Sequence, residues 1–178
     1  ENELTTHPIE SNIAIGHTRW ATHGAANEIN AHPHKTSQVS VVHNGIIENF
    51  MPIKQELIQA GHVFSSQTDS EVIPNLITYY LDQGSTALDA VKKTIKRLDG
   101  AFSIAVIFAK IPGLMIAARK GSPLVIGYGE DKMIIASDAY ALAFLTNKIS
   151  YLEEGDLAEI YSDYANIHDI NGNIVKRD

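Results

Sequence analysis

The chain has 178 residues, of which 44% are hydrophobic and 20% are charged, and its formal net charge is -7. This length fits one globular domain with a sizeable core, which we assign to residues 1–178. The acidic balance argues against a nucleic-acid partner. No apolar run approaches the roughly 18 residues that a membrane span needs. Because the chain has no cysteine, disulfides and thiolate metal sites within it are excluded, and a cytoplasmic location is the default.

The first half of the chain combines two short apolar runs with three helical patterns. Residues 13–16 and 39–43 are apolar and rich in β-branched side chains, which predicts two buried strands joined by the polar segment 17–37. Apolar positions then recur at helical spacing, which predicts helices over residues 50–60, 69–81 and 86–98.

The helix boundaries carry their own signals. Gly61 follows the first helical pattern and is expected to end it. Thr68 or Asp69 is expected to cap the second helix, with Glu71 in its first turn.

The second half of the chain consists of short apolar runs separated by Gly, Pro, Asp and Asn. This pattern predicts mostly antiparallel strands joined by hairpins. Since no helix separates these strands, we expect an α+β fold or a layered sandwich rather than a doubly wound sheet. The predicted strands cover residues 101–109, 114–119, 123–129, 132–137, 149–154, 156–161, 165–170 and 173–176.

The segment from Gly16 to Gly24 is the most unusual in composition. Arg19 offers a rigid fork that matches a carboxylate through two parallel hydrogen bonds, and the glycines allow the backbone to approach a ligand. The alternative for Arg19 is an ordinary surface role. Trp20 is either a lid that excludes water or a core residue.

Two further segments carry polar groups that suit a small ligand. Asn44 and Gly45 follow an apolar run, where they predict either a hairpin turn or a pair of neutral donors for an oxyanion, and both can hold together. Asp69 is either a helix cap or an acceptor for a ligand ammonium. Together with Arg19, this carboxylate would describe a pocket for a free amino acid.

The histidines call for a comparison with known metal sites. His32 and His34 lie one residue apart, and His17, His23 and His43 are candidates to lie nearby. Their spacing does not match the usual zinc patterns, and no HExxH run occurs, so we expect no metal site. Phosphate-binding glycine motifs and the GxSxG serine motif are also absent.

Taken together, GHTRWATHG, NAHPH, VVHNGIIEN and TDSEVI occur in an order that resembles the glutaminase domain of class II glutamine amidotransferases. The later runs GAFSIAVI, ARKGSPLVIG, ASDAYAL and YLEEGDLAEI extend the resemblance over nearly the whole chain. The wording is most similar to members that aminate fructose 6-phosphate. Amidophosphoribosyltransferases, which usually lack the full TRWATHG and NAHPH wording, are the weaker alternative within the family.

This resemblance implies a four-layer αββα sandwich of the N-terminal-nucleophile hydrolase type, here without its first elements. It also implies a domain that binds L-glutamine and hydrolyses the side-chain amide, supplying ammonia to a C-terminal sugar isomerase domain of the same polypeptide. The parent protein is expected to be a cytoplasmic homodimer. No metal or organic cofactor is implied.

The resemblance also implies residue roles on the carboxylate side of glutamine. The arginine that matches Arg19 binds the α-carboxylate, helped by the residues that match Thr22 and His23. Trp20 matches a gate on a mobile loop that closes over the substrate.

The implied roles at the α-ammonium and at the reacting side-chain amide fall on three other residues. Asp69 and Gly45 match the groups that hold the α-ammonium, and Asn44 and Gly45 match the oxyanion-hole pair. The family's nucleophile is an N-terminal cysteine, whereas this chain begins at Glu1 and has no cysteine. We therefore expect the first elements of the domain to be absent, and the chain to bind glutamine weakly or not at all and not to hydrolyse it.

Two readings from other classes compete with an enzyme domain. A glutamine-sensing module would keep the Arg19 and Asp69 pocket without a nucleophile. A plain α+β interaction domain would use the same two side chains for packing alone.

Overall fold

The computed structural model describes Thr6, residues 11–19 and residues 24–178. Within these residues the chain forms ten strands, three α-helices and one short 3-10 helix. In chain order they are β1 (His34–Lys35), β2 (Val39–Gly45), α1 (Phe50–Gln59), α2 (Val72–Asp82), α3 (Ala87–Arg97), β3 (Phe102–Phe108), β4 (Ile111–Lys120), β5 (Val125–Tyr128), β6 (Met133–Ala136), the 3-10 helix (Ala139–Leu142), β7 (Ile149–Tyr151), β8 (Leu157–Ile160), β9 (Ala165–His168) and β10 (Ile174–Val175). No helix in this part of the chain is long and apolar enough to cross a membrane.

The strands form two antiparallel sheets. The larger sheet has the order β1-β2-β3-β4-β8-β9-β10, and the smaller one has the order β6-β5-β7. Every paired neighbour in both sheets is antiparallel. The predicted α+β class and the predicted antiparallel pairing are therefore confirmed.

Side-chain alternation along β3 separates two hydrophobic cores. Ile104 and Val106 pack with Leu76 of α2 and Val91 of α3 in the first core. Ala105 points to the opposite face, as successive strand residues do, and packs in the second core with residues of the smaller sheet such as Ile126. The described residues thus stack a helical layer, the larger sheet and the smaller sheet.

Local interactions set the ends of two helices, and the predicted stop at Gly61 is confirmed. After α1, Gly61 has a φ of +93°, its N–H donates to the Ile58 carbonyl at 3.0 Å, and the His62 N–H donates to the Leu57 carbonyl at 2.9 Å. This pair of bonds is the Schellman motif, which glycine favours because it tolerates positive φ. At the start of α3, Thr86 Oγ1 accepts a hydrogen bond from the Asp89 N–H at 3.1 Å.

The predicted cap of α2 is wrong. The helix begins at Val72, and the residue before it is Glu71, which makes no side-chain capping bond. Asp69 instead accepts a hydrogen bond from the Ile47 N–H, and the Thr68 hydroxyl lies 3.0 Å from His34 Nε2. Both side chains are engaged in long-range contacts that sequence spacing does not reveal.

The predicted strand over residues 13–16 is also wrong. Ile13 and Ile15 pack against the second core, while Ala14 and Gly16 are exposed, so burial alternates along the segment as it does in a strand. However, this segment forms no hydrogen-bonded ladder with any strand that the structure describes. Alternating burial shows that one side of the segment faces a core. It does not provide a neighbouring strand with which the segment can form backbone hydrogen bonds.

Gly45 ends β2 at a point where only glycine fits. Its φ is +113°, and a Cβ atom added there would lie 2.0 Å from the backbone oxygen of Ala101. The backbone of β2 therefore approaches β3 more closely than any side chain would allow.

We predict that Gly45→Ala lowers the free energy of unfolding by about 3 kcal/mol or more, because it combines positive-φ strain with a backbone clash. Gly61→Ala is the matched control, since Gly61 has positive φ but no atom within 4 Å of the added Cβ. It should cost about 1 kcal/mol. Urea unfolding of both variants measures the difference, and equal losses would contradict the clash.

Candidate functional site

Asn44 and Gly45 lie at the end of β2, where the ladder supplies no partner for the Gly45 N–H among the described residues. Asn44 faces Ser103 of β3, and the Ile46 N–H donates to the Ala101 carbonyl at 2.9 Å. Because hydrogen-bonded pairs alternate in an antiparallel ladder, the Gly45 N–H points away from β3. On that side β1 pairs with β2 only at Ser40 and Val41, so the ladder has ended before Gly45.

The Asn44 side chain lies on the face of the larger sheet that is turned toward the smaller sheet. It lines a cavity of about 470 Å³ together with Ile15, His17, Ala105 and Ile135. Its Oδ1 lies 2.7 Å from His17 Nε2. In the part of the chain that the structure describes, no acceptor takes the Asn44 NH₂ group.

Asp69 is buried beside the same strand end. The residue is only 2% exposed. Its Oδ2 accepts a hydrogen bond of 2.7 Å from the Ile47 N–H. Since Ile47 follows Gly45 by two residues, this bond fixes the carboxylate next to the Asn44–Gly45 pair. The contact joins two segments that are 22 residues apart in sequence.

Glu71 holds the segment that carries Asp69. Its carboxylate accepts hydrogen bonds from the N–H groups of Ser65 and Ser66, at 2.8 and 2.7 Å, and from both of their hydroxyls. Burial alone would raise the pKa of Glu71, but these hydrogen bonds outweigh it and lower the pKa. The carboxylate is thus ionised at neutral pH and organises residues 65–71 into one rigid turn.

Arg19 has an uncommon backbone conformation for a residue with a side chain. Its φ is +56°, which costs a non-glycine residue roughly 1–2 kcal/mol, and its N–H donates to His17 Nδ1 at 2.7 Å. The guanidinium turns back on its own loop, where Nη1 donates to the Ala25 carbonyl at 3.0 Å and Nη2 to the Gly24 carbonyl at 3.4 Å.

The structure links the predicted site residues without placing them all around one cavity. His17 connects Arg19 to Asn44, Ile47 connects Asp69 to the end of β2, and the charges of Arg19 and Asp69 both act on the pKa of His34. The lining of the 470 Å³ cavity includes Asn44 but not Arg19, Gly45 or Asp69. The predicted positions Trp20, Thr22 and His23 lie outside the described residues.

Four imidazoles meet at the centre of these contacts, and we call His17, His32, His34 and His43 the histidine cluster. The ring centroid of His32 lies 4.2 Å from that of His17, 4.9 Å from that of His34 and 6.3 Å from that of His43. His43 Nδ1 in turn lies 2.8 Å from the Ser70 hydroxyl. The expected proximity of these four histidines is therefore confirmed.

The geometry of the cluster does not suit a metal ion. Among the described residues, no group of three or more His, Asp or Glu side chains is arranged to hold one. Both ring nitrogens of His32 and Nε2 of His43 are buried without a hydrogen-bond partner in this part of the chain. Among the described residues, His32 therefore contributes ring packing, while His17, His34 and His43 also contribute hydrogen bonds.

Burial lowers the pKa of three rings of the cluster, those of His32, His34 and His43. Desolvation, reinforced by the neighbouring His17, lowers the pKa of His32 to about 3. Desolvation likewise lowers the pKa of His43 to about 4, although Asp69 opposes the shift. It also lowers the pKa of His34. These three rings therefore add no positive charge beside Arg19 and Asp69 at neutral pH.

Sequence reasoning missed two residues that shape the site, His17 as the link between Arg19 and Asn44, and Glu71 as the anchor of the Asp69 segment. Both lie within two residues of a predicted site residue. The hydroxyl pair Ser65–Ser66 before Glu71 was an available signal, because a carboxylate that follows two serines can collect their donors in a turn.

Comparison with known proteins identifies the family. Residues 17–144 match the family described as the glutamine amidotransferase domain. The chain belongs to this family. The match includes Arg19, Asn44, Gly45 and Asp69, so the site described above lies inside the amidotransferase domain.

The alignments with curated relatives extend over almost the full length of this chain. The chain is 50% identical over 177 residues to the glutamine–fructose-6-phosphate aminotransferase [isomerizing] of Bartonella henselae and 48% identical over 177 residues to that of Mesorhizobium japonicum. Each alignment covers 99% of this chain but only 29% of the relative. The chain thus corresponds to a part of these proteins.

Solved structures confirm the fold. The glutamine phosphoribosylpyrophosphate amidotransferase of B. subtilis, complexed with ADP and GMP, superposes with a TM-score of 0.73 at 26% identity, covering 89% of this chain and 35% of that chain. A structure described as the allosteric regulatory enzyme of purine biosynthesis gives a TM-score of 0.72 at 27% identity, with the same coverage of both chains. The predicted N-terminal-nucleophile type of α+β fold is supported by both.

The lowered pKa values predict that acid destabilises the protein. Between the unfolded pKa of about 6.5 and the folded values, the unfolded chain binds more protons, so stability is full above pH 6.5 and is lost as pH falls. His43→Asn keeps a polar group near Ser70 and removes one titrating ring. In urea unfolding between pH 6.5 and 4.5, it should reduce the slope of unfolding free energy against pH by up to about 1.4 kcal/mol per unit, the value for one proton.

Ser70→Ala is the matched control for this measurement. It removes the hydroxyl partner of His43 without removing a titratable group, so stability should fall at every pH with the slope retained. An unchanged slope in His43→Asn would show that this ring is not held neutral by the fold. Carboxylates such as Glu71 contribute only at lower pH, because its pKa is lowered from 4.5.

Proposed function

We propose that these 178 residues form one glutamine-binding domain of an isomerising glutamine–fructose-6-phosphate aminotransferase. The observation that carries the proposal is the hydrogen bond between Asp69 and the Ile47 N–H, which holds an acidic side chain beside the Asn44–Gly45 strand end. Identity of about 50% to aminotransferases, against 26% to the B. subtilis amidotransferase, favours the sugar-aminating branch of the family.

In this proposal the two charged groups on the α-carbon of L-glutamine meet two side chains. Arg19 binds the α-carboxylate by exchanging its bonds to the Gly24 and Ala25 carbonyls for a charge-assisted, bidentate pair. Thr22 and His23 complete the carboxylate side, and Trp20 closes over the ligand.

The α-ammonium and the reacting side-chain amide meet the remaining residues. Asp69 accepts hydrogen bonds from the ammonium, with Gly45 beside it. The Asn44 NH₂ group and the Gly45 N–H are two neutral donors at one strand end, and they suit the oxyanion that forms when a nucleophile attacks the side-chain carbonyl. Loss of one such donor costs roughly 3–4 kcal/mol of transition-state stabilisation in enzymes where it has been measured.

The remaining chemistry requires a group that these residues do not supply. A thiolate adds to the side-chain amide carbon, ammonia leaves, and water hydrolyses the resulting γ-glutamyl thioester to glutamate. None of the 178 residues is cysteine, so this chain contributes binding and oxyanion stabilisation. The proposed user of the ammonia is a C-terminal sugar isomerase domain of the same polypeptide, in a cytoplasmic homodimer.

Of the two outcomes expected from the sequence, weak binding and no binding, the proposal commits to weak binding. We therefore predict a saturable change in the amide NMR signals of Asn44, Gly45 and Asp69 when L-glutamine is added at millimolar concentration. Arg19→Lys keeps the charge but loses the fork, and Asp69→Asn loses the acceptor charge. Each should weaken binding at least about tenfold, which equals 1.4 kcal/mol. A wild-type chain with no saturable change would overturn the proposal.

Arg97→Gln is the matched control for loss of a cation, because Arg97 pairs with Glu56 on the helical surface. Its affinity for glutamine should equal that of the wild type. A glutaminase assay on the same samples should detect no glutamate above background, since the chain has no thiol; release above background would refute the assignment of the nucleophile to cysteine.

A further inference from the structure

The hydrogen bonds of His17 leave only one proton arrangement for its ring. The Arg19 backbone N–H donates to Nδ1 at 2.7 Å, and a backbone N–H is always a donor, so Nδ1 carries no proton. The imidazole is then neutral with its proton on Nε2. That N–H faces Asn44 Oδ1 at 2.7 Å and donates to it.

This arrangement fixes the orientation of the Asn44 carboxamide. Its oxygen accepts from His17, so its NH₂ group is the part left for a ligand. A rotated carboxamide would place its NH₂ against the Nε2–H of His17, donor against donor. The ring therefore selects the one orientation in which Asn44 presents donors rather than an acceptor.

We propose that His17 is a positioning residue that orients Asn44 as an oxyanion donor and ties it to the backbone of Arg19. This inference rests on the proposed function, because it assigns Asn44 the role of a donor to the side-chain carbonyl of glutamine. His17 acts through Asn44 rather than on the ligand. One ring thus connects the carboxylate end of the ligand site to its reacting end.

The two bonds of His17 can be separated by substitution. The Nδ1 bond reaches the N–H two residues ahead, a geometry that an asparagine side chain reproduces as an Asx-turn. His17→Asn therefore keeps the acceptor for the Arg19 N–H and loses the donor to Asn44. His17→Gln has its amide nitrogen near the former Nε2 position, so it keeps the donor to Asn44.

The first measurement needs no ligand. In ¹⁵N NMR of the wild-type chain, the His17 ring should show an unprotonated Nδ1 and a protonated Nε2, and the Asn44 side-chain NH₂ signals should shift in His17→Asn but stay near their wild-type positions in His17→Gln. A ring protonated on Nδ1, or Asn44 signals that respond equally to both variants, would overturn the inference.

The second measurement compares L-glutamine with L-norvaline, which has the same α-carbon groups but no side-chain carbonyl. The Asn44 NH₂ group can donate a hydrogen bond only to glutamine, because norvaline has no side-chain carbonyl. The ratio of the two affinities therefore reports whether Asn44 points its NH₂ group toward the ligand. We expect Asn44→Ala, His17→Ala and His17→Asn each to reduce this preference about fivefold, the worth of one neutral hydrogen bond. His17→Gln should retain it, and His17→Ala should add nothing on the Asn44→Ala background.

The outcomes separate the two proposals. Because each ratio compares two ligands on the same variant, a general loss of stability cancels from it. A wild-type chain that binds neither amino acid overturns the proposed function and the role of His17 with it. A preference for glutamine that survives His17→Ala overturns the role of His17 alone.

Discussion

The bond between the Ile47 N–H and the Asp69 carboxylate is the constraint on which the site depends. It connects the end of β2 to the turn before α2, and so it brings an acidic group from one segment next to two neutral donors from another. Glu71 supports this contact, because its carboxylate accepts hydrogen bonds from Ser65 and Ser66 and so fixes the shape of the turn. The hydrogen bonds of these two buried carboxylates thus shape the turn of residues 65–71 and hold it against the end of β2.

The histidine cluster lies close to the charged groups of Arg19 and Asp69, whose charges both act on His34. Desolvation lowers the pKa values of His32 and His43 far enough that the rings remain uncharged at neutral pH. In the proposed function, these uncharged rings leave Arg19 and Asp69 to bind a zwitterionic ligand without competition from further cations. The cluster also supplies hydrogen-bonding atoms at the positions where Thr68 and Ser70 need partners.

The sequence predicts those parts of the fold that local chemistry decides. Gly61 ends α1 and Thr86 starts α3 because each acts within one helical turn. The antiparallel strands after Gly100 follow from their short apolar runs and turn residues. The residues now placed at the site were identified through composition and family resemblance.

The errors share one physical cause. Asp69 and Thr68 suit a helix cap locally, but a backbone donor on β2 and a ring on β1 take their side chains instead. Residues 13–16 have the alternation of a strand, yet strand formation needs a partner that alternation does not specify. The two-residue strand β1 and the bridge through His17 likewise depend on distant contacts, which single-sequence patterns do not contain.

The proposed use of the Gly45 N–H as a donor has a consequence for which substitutions this position can accept. Side-chain donors such as Asn44 disappear with a single codon change, whereas a peptide N–H is present whichever amino acid is encoded, proline excepted. At this position, however, the Ala101 carbonyl leaves no space for any side chain. A substitution at this position therefore lowers stability through backbone strain and a clash, whether or not the N–H takes part in binding.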